Sequence, residues 1–474
     1  MKQLSAQDAQ FLYMETESNL ANATMVCIYK EADTMEGASG QTAFTKVISQ
    51  LQNRLSCSPI FTRKLKRVPG NIDYPYWVKD NYFDLKAHLY HHILEAPGNW
   101  PQLTELIGRI HSQPLDMRRP LWEMHIVEGF DGSENCPKNG FALITKLHHA
   151  AIDGAAAMQF FAAMSDIDPQ GKPALPQQDA ATNASLMMPS HFDMLSTSVS
   201  NHLVSPAKFT KTLAASTPAL IKQHIRKKRA ADYQPPEKVP TTLFNASVSP
   251  NKSFGAVKFS LEDLKSIQHK VVGAKLNDVV LAITAGAMVK YLSARNALPS
   301  ESLVAWVPIN ARPSGKANAD DEPGNNVTAM TTPLGTKLAN PIERLEESTK
   351  NPQASKSSED GMGARLVTDL SQHLPGISMA IASQLLLASG AAAKLCNVTV
   401  SNVPGHQKPM YLAGSQCVHQ YGLVPLAEGM GLFVVALSNN GIMSFSVTST
   451  KEIIPDMDEF CHYLEQSFQE LFDK

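Results

Sequence analysis

The sequence predicts an α/β chain folded in two halves, and three observations carry that expectation. Its 474 residues exceed what one ordinary hydrophobic core organises. Strand-like and helix-like segments alternate through the first 168 residues and do so again from about residue 254. Between them, residues 169–182 are rich in Pro, Gln, Asp and Ala, the composition of a linker. The expected units are therefore 1–168, a linker with a helical, partly basic segment over 169–245, and 246–474.

In the first half, Val26-Cys27-Ile28-Tyr29 and Trp77-Val78 read as short strands, and residues 42–55 have helical spacing. Residues 122–130 read as a strand that pairs with residues 141–147 through a Gly-, Asn- and Pro-rich turn at 131–140. His148-His149-Ala150-Ala151-Ile152-Asp153-Gly154 closes the second of these strands, and Ala155-Ala156-Ala157-Met158 opens a helix. After the linker, residues 186–230 look ordered and mildly amphipathic, ending in Arg226-Lys227-Lys228-Arg229. Those cations suit a helix C-terminus. The sharper alternative is attraction to anionic lipid headgroups or substrate phosphates.

The second half opens with a strand at 256–259, a helix at 261–269 and a strongly periodic helix at 276–292. A strand at 303–309 precedes Asn310-Ala311-Arg312-Pro313, and residues 323–326 mark a loop. Residues 398–400 and 431–437 are further strands, and 454–472 form a terminal amphipathic helix. Two such halves invite a site in the cleft between them.

The net charge of −2 and pI near 6.7 give no global field for a nucleic-acid partner. Six scattered cysteines with no CxxC pair favour reduced thiols over disulfides or a zinc site. Residues 1–10 lack the charged start and apolar core of a signal peptide, so cytosolic synthesis is expected. Residues 371–393 carry no Asp, Glu, Lys or Arg, yet Pro375, Gly376 and several serines dilute their apolarity. A buried or surface-lying helix is expected there rather than a span.

The chemistry concentrates in the HHxxxDG stretch, a pattern that chance places in roughly one such chain in a thousand. Histidine is the side chain whose unperturbed pKa suits proton transfer near neutrality. One fixed at a strand end is a candidate general base. Adjacent side chains on a strand point to opposite faces, so His148 and His149 have different tasks. Asp153-Gly154 fits a helix N-cap that also holds the turn aiming the histidine. His-His-Asp can ligate zinc or iron, but no third ligand cluster is evident, and His91-His92 sits in a polar segment without an acidic partner. No GxSxG elbow points to a serine hydrolase. Pro120-Leu121-Trp122-Glu123 reads as packing around a tryptophan. Asn277-Asp278 starts an apolar helix, with Asn277 a candidate donor at the cleft. Ser401-Asn402-Val403-Pro404-Gly405 reads as a turn after a strand, and Pro425-Leu426-Ala427-Glu428-Gly429 as a loop before one.

Taken in this order, with Leu4-Ser5-Ala6-Gln7-Asp8, Phe11-Leu12-Tyr13-Met14-Glu15, Gly324-Asn325 and the stretch from Asn397 to Gly405, these segments resemble the bacterial bifunctional wax ester synthase/diacylglycerol acyltransferase family. That family lies within the chloramphenicol-acetyltransferase-like, CoA-dependent acyltransferases. HHxxxDG alone would also fit polyketide-associated acyltransferases and condensation domains. One departure stands out: Ser438-Asn439-Asn440-Gly441 replaces the family's Ser-Tyr-x-Gly, with Asn439 in the tyrosine's place.

The resemblance implies an α/β (α+β layered) fold of two chloramphenicol-acetyltransferase-like domains with an active-site tunnel between them. It implies transfer of a long-chain acyl group from acyl-CoA to a fatty alcohol or diacylglycerol, giving wax ester or triacylglycerol. His149 would be the general base, Asp153 would orient the motif and Asn277 would be an oxyanion donor, with His148, Gly154 and Asp278 in support. Acyl-CoA is then a substrate, and no cofactor or metal is expected. The chain would be cytoplasmic and would touch membrane or lipid inclusions peripherally, through residues 186–229 and 371–393. Competing expectations are a condensation-type acyltransferase with another acceptor or a carrier-protein donor, and a non-catalytic lipid-inclusion protein on the same fold.

Overall fold

The computed structural model describes residues 2–31, 42–152, 154–174, 188–229, 238–310, 327–350, 374 and 376–474. Two six-stranded mixed sheets organise it. The first contains β2 (Asn22–Lys30), β5 (Leu89–Ile93), β6 (Trp122–Glu128) and β7 (Gly140–His148). Two strands from far along the chain, β12 (Tyr411–Leu412) and β13 (Ser415–Leu423), complete it in the order β12-β13-β2-β7-β6-β5. The second comprises β8 (Lys252–Ser260), β9 (Val304–Asn310), β10 (Val327–Pro333), β11 (Val398–Val403), β14 (Phe433–Asn439) and β15 (Ile442–Thr450). Its order is β10-β9-β11-β14-β15-β8. A small third sheet joins β1 (Lys2–Gln3), β4 (Tyr76–Lys79) and β3 (Arg63–Lys66).

The pair expected around residues 131–140 is present. β6 and β7 run antiparallel with Trp122 opposite Leu147, and β2 flanks β7 with Asn22 opposite His148. Every residue from Phe141 to His148 is buried, because both faces of β7 are covered. On one face α2 (Ala43–Arg54) and α4 (Gly154–Met164) pack Val47, Leu51, Phe160 and Phe161 against Leu143 and Leu147. On the other, α3 (Trp100–Ser112) packs Leu103, Ile107 and Ile110 against Val26, Ile144 and Phe254 of β8. The two halves meet in that last cluster. Gly108 permits the approach, since a β-carbon there would lie 2.8 Å from the Lys252 carbonyl oxygen.

Helices α1 (Ala6–Tyr13) and α3 escaped the periodicity argument, yet both carry start signals. Asp8 N–H donates to Ser5 Oγ at 3.1 Å. Asn99 and Gln102 exchange side-chain and backbone hydrogen bonds as a capping box. In the second half, α6 (Leu261–His269), α7 (Leu276–Ser293), α8 (Pro341–Lys350) and α10 (Met457–Asp473) pack around the second sheet. Every residue of α7 from Asp278 to Met288 is buried. Among the described residues α7 is the one helix long and apolar enough to cross a membrane, and its place in the core accounts for that composition.

Residues 376–388 form a surface-lying helix, α9 (Gly376–Ala388), with Ile377, Ile381 and Leu385 exposed. The long α5 (His191–Arg229) buries Met194 against Val68, Tyr76 and Val78 and exposes Phe192, Val199 and Leu203. Its last turn contains the basic run. Residues 175–187, most of the expected linker, lie outside the described residues. So do Ala311-Arg312-Pro313 and Gly324-Asn325. Ser401, Asn402 and Val403 are not a turn: they extend β11, because parallel pairing with β14 continues to Val403 opposite Leu437. All six cysteines are free thiols.

Candidate active site

β7 delivers the two histidines. His148 N–H donates to Leu121 O at 3.0 Å and His149 N–H to Ala21 O at 2.7 Å, so sheet-like bonding holds the chain up to the second histidine. The chain then turns, with Ala151 N–H donating to His148 O at 2.9 Å, and α4 begins at Gly154. Asp153, expected to cap this helix and orient the turn, lies outside the described residues. The guanidinium of Arg63, on β3, donates to Ala151 O at 3.0 Å and stacks over Trp77 at 4.5 Å. Burial pushes the Arg63 pKa down to about 10, opposed by the nearby Asp8 carboxylate.

The imidazoles have different surroundings, as their strand positions required. His148 is wholly buried, and its Nδ1 accepts the Ala150 N–H at 3.0 Å. The neutral ring then carries its proton on Nε2, 3.2 Å from Glu15 Oε1. That contact is within ion-pair distance but is not a hydrogen bond. His149 is half-buried and stacks on Phe11, with ring centroids 4.1 Å apart and planes 17° from parallel. His148 is thus tied into the fold, while His149 presents a partly accessible imidazole.

The His148 face of β7 is a polar layer without an open charge. Lys146, buried, pairs with Glu123 at 2.9 Å and donates to the Ile110 and Gln113 carbonyls at 3.1 Å. Burial lowers the Lys146 pKa and Glu123 opposes it. His111 bonds Thr24 Oγ1 at 2.8 Å; burial, then the charges of Lys252 and Lys146, push its pKa down to about 3. It is neutral at physiological pH. Trp122 is fully buried with its indole N–H on Phe61 O at 3.0 Å, a packing role.

The remaining sequence-predicted residues lie elsewhere. Asn277 is half-buried in the first turn of α7, and no described hydrogen bond joins it to the histidine turn. Asp278 accepts Lys275 N–H at 2.8 Å and so starts that helix; burial raises its pKa. Asn397 accepts Val304 N–H and donates to Asn245 Oδ1. Asn245 in turn donates to Gly429 O, which makes this family segment a tie between loops. Ser438 Oγ accepts Gly405 N–H at 3.2 Å, where a β-carbon on Gly405 would collide with the Ser438 carbonyl oxygen.

Asn439 ends β14, and Asn440 and Gly441, with φ of 45° and 82°, make the two-residue turn into β15. Asn439 lines a small, shallow cleft with Lys258, His419, Gln420 and Ser444. Asn439 Oδ1 and Gln420 Oε1 are buried there without hydrogen-bond partners. One expectation is corrected: His91 does have an acidic partner. Strand β5 lies parallel to β6, which places His91 Nε2 2.5 Å from Glu128 Oε2, while His92 meets His125 at 3.0 Å. Among the described residues no three His, Cys, Asp or Glu side chains converge as a metal site.

Sequence reasoning quoted Phe11 and Glu15 as part of a resemblance but gave them no task, and it passed over Arg63. Nothing local marks any of the three, because each reaches the turn from another element.

Comparison with known proteins agrees with this geometry. Residues 4–280 match the wax ester synthase/diacylglycerol acyltransferase catalytic domain, and residues 323–472 match the WS/DGAT C-terminal domain. A Mycobacterium tuberculosis protein named for diacylglycerol O-acyltransferase activity is 28% identical over 478 residues, covering 100% of this chain and 90% of its own. Another from the same organism, similarly named, is 30% identical over 436 residues, covering 89% and 90%. The solved wax ester synthase/diacylglycerol acyltransferase from Marinobacter aquaeolei VT8 superposes with a TM-score of 0.68 at 22% identity, covering 99% of this chain and 98% of that one. The first condensation domain of the calcium-dependent antibiotic synthetase shares the fold, with a TM-score of 0.57 at 13% identity and coverage of 99% and 95%. With both family domains matched along its length and an HHxxxDG turn built on a buried strand, the chain belongs to the wax ester synthase/diacylglycerol acyltransferase family of acyltransferases.

Proposed function

We propose that this protein transfers a long-chain acyl group from acyl-CoA to the hydroxyl of diacylglycerol or a fatty alcohol, with His149 as general base. The observation that carries the reading is the asymmetry of the two histidines. His148 is buried and bonded to the backbone, whereas His149 is half-buried at the end of the sheet. His149 takes the hydroxyl proton as the oxygen attacks the thioester carbonyl. The C–S bond then breaks, and the proton passes to the departing CoA sulfur. No covalent acyl-enzyme is needed. Proton transfer of this kind contributes about 10²–10⁴ in rate. Asn277, at the start of α7, is the proposed donor to the oxyanion, and Asp153 the residue orienting the turn; a lost oxyanion donor costs about 10²–10³.

The test is His149→Ala, assayed with palmitoyl-CoA against a panel of alcohols and diacylglycerol, reading CoA release and lipid product. Turnover should fall by about 10²–10⁴ with the melting temperature nearly unchanged. Retained activity overturns the assignment.

The same reading places the enzyme at a lipid surface. The exposed Phe192, Val199 and Leu203 of α5 and Ile377, Ile381 and Leu385 of α9 support it. Both helices border one turn: Asn201 donates to Asp73 Oδ2 at 2.8 Å, and Gly376 packs on the Asp73–Tyr74 backbone. The protein should float with anionic phospholipid vesicles, and Phe192→Ser with Leu203→Ser should weaken flotation. Equal flotation of wild type and variant excludes α5 as the contact.

A further inference from the structure

We infer that Glu15 is a positioning residue for the reaction, holding the peptide groups on both sides of His149 by two routes, one a hydrogen bond to Ala21 and the other a close polar contact with His148. The first route runs through Ala21. The Ala21 N–H donates to Glu15 Oε1 at 2.9 Å, and the Ala21 carbonyl accepts the His149 N–H at 2.7 Å. The second runs through His148. Its Nε2 lies 3.2 Å from the same Glu15 oxygen, and its Nδ1 accepts the Ala150 N–H at 3.0 Å. The N–H of His149 and the N–H of the residue after it are therefore both fixed by groups that Glu15 touches.

The two routes reinforce one another. Nδ1 accepts the Ala150 N–H, and the Glu15 oxygen 3.2 Å from Nε2 favours the His148 proton on that second nitrogen, where it faces the carboxylate. Were the proton on Nδ1, it would face the Ala150 N–H, donor against donor, and the turn would open. Glu15 itself is held in place. Its side chain is 17% exposed, and the loop it closes is pinned by reciprocal Thr16 and Asn19 backbone bonds of 3.1 Å. A general base displaced by about 1 Å loses on the order of 10²-fold in rate, so a clamp on the backbone of His149 bears on turnover more than on substrate affinity.

Both contacts use one oxygen, so a neutral acceptor of the same shape should serve. Glu15→Ala, Glu15→Gln and wild type are compared in two ways. The first is hydrogen–deuterium exchange of the peptides containing Ala21, His149 and Ala150, which is independent of turnover. Exchange should quicken at least tenfold in Glu15→Ala and stay within threefold of wild type in Glu15→Gln. The second is kinetics with palmitoyl-CoA and diacylglycerol, which rests on the acyl-transfer reading. In Glu15→Ala kcat should fall 10- to 100-fold, with KM for the acyl-CoA within twofold. Glu15→Gln should recover kcat to within threefold, and its pH profile should overlay that of wild type.

Unchanged exchange in Glu15→Ala overturns the clamp, whatever the kinetics. So does a Glu15→Gln variant as impaired as Glu15→Ala, or one with a displaced pH profile, since either would mean that charge and not geometry is at work. An inactive wild type with the expected exchange pattern would overturn the acyl-transfer reading and leave the clamp standing.

Discussion

The ring of Phe11 lies face to face with the imidazole of His149, 4.1 Å between centroids. Phe11 belongs to α1, and Tyr13 at the end of that helix accepts a hydrogen bond from Gln384 of α9 at 2.7 Å. The aromatic contact restricts the imidazole plane from a part of the chain more than a hundred residues away. An aromatic pair of this kind is worth about 0.5–1.5 kcal/mol beyond its buried area. Phe11→Ala should therefore reduce kcat roughly two- to tenfold while the fold persists, and Phe11→Tyr should restore it. Steady-state kinetics beside a thermal melt would show this; unchanged kcat in Phe11→Ala would leave the stack without a catalytic task.

His148→Ala should show the opposite balance to His149→Ala. It leaves the Ala150 N–H without its acceptor inside a buried turn, a cost of about 1–3 kcal/mol. Denaturant unfolding should reveal that loss, and the fall in turnover should be smaller than that of His149→Ala. Equal stability with complete loss of turnover would exchange the roles of the two histidines.

Acid should destabilise the protein in a way that His111 accounts for. Its pKa is about 3 when folded, because burial and then Lys252 and Lys146 disfavour the charged ring. Its unfolded value is near the ordinary 6.5. A depressed histidine pKa means that the unfolded chain binds the extra proton. The contribution is complete above pH 6.5 and is lost as pH falls toward 3. The slope is about 1.4 kcal/mol per pH unit from this one group. Between pH 6.5 and 5, above most carboxylate titration, His111→Gln should flatten the measured stability curve. A slope equal to that of wild type would assign the acid sensitivity to other groups.

Asn439 departs from the Ser-Tyr-x-Gly pattern that the resemblance leads one to expect, and its buried Oδ1 has no partner beside the cleft formed with Lys258 and Gln420. Replacing an unsatisfied amide by an apolar side chain of similar size is neutral or stabilising by about 1 kcal/mol. Asn439→Leu should therefore melt at or slightly above the wild-type temperature, with activity on diacylglycerol within twofold. A tenfold loss would show that the amide reaches the acceptor.

Much of the fold was legible because its signals are local. The helices at Leu261–His269 and Leu276–Ser293 fall within a residue of their expected ends, and the hairpin joining β6 and β7 followed from a turn-rich stretch between two alternating runs. The strands β13 and β15 went unread. In β15 Met443, Phe445 and Val447 alternate with Ser444, Ser446 and Thr448, a period-two signal in the residues themselves; its full burial from Met443 to Thr450 comes only from packing. The His91-His92 segment read as polar because its partners, Glu128 and His125, sit on the neighbouring strand.

The division at the site has the same cause. By itself the sequence determined that two adjacent histidines end a strand and must face different surroundings, since the period-two geometry of a strand is set by the backbone. It also determined the family, through motifs read in chain order. Only the tertiary structure decided which surroundings each histidine met: the buried acceptor role of His148, the stack of Phe11 on His149, and the reach of Glu15 and Arg63 to the same turn. Such contacts join residues far apart in the chain, and packing, not periodicity, brings them within bonding distance.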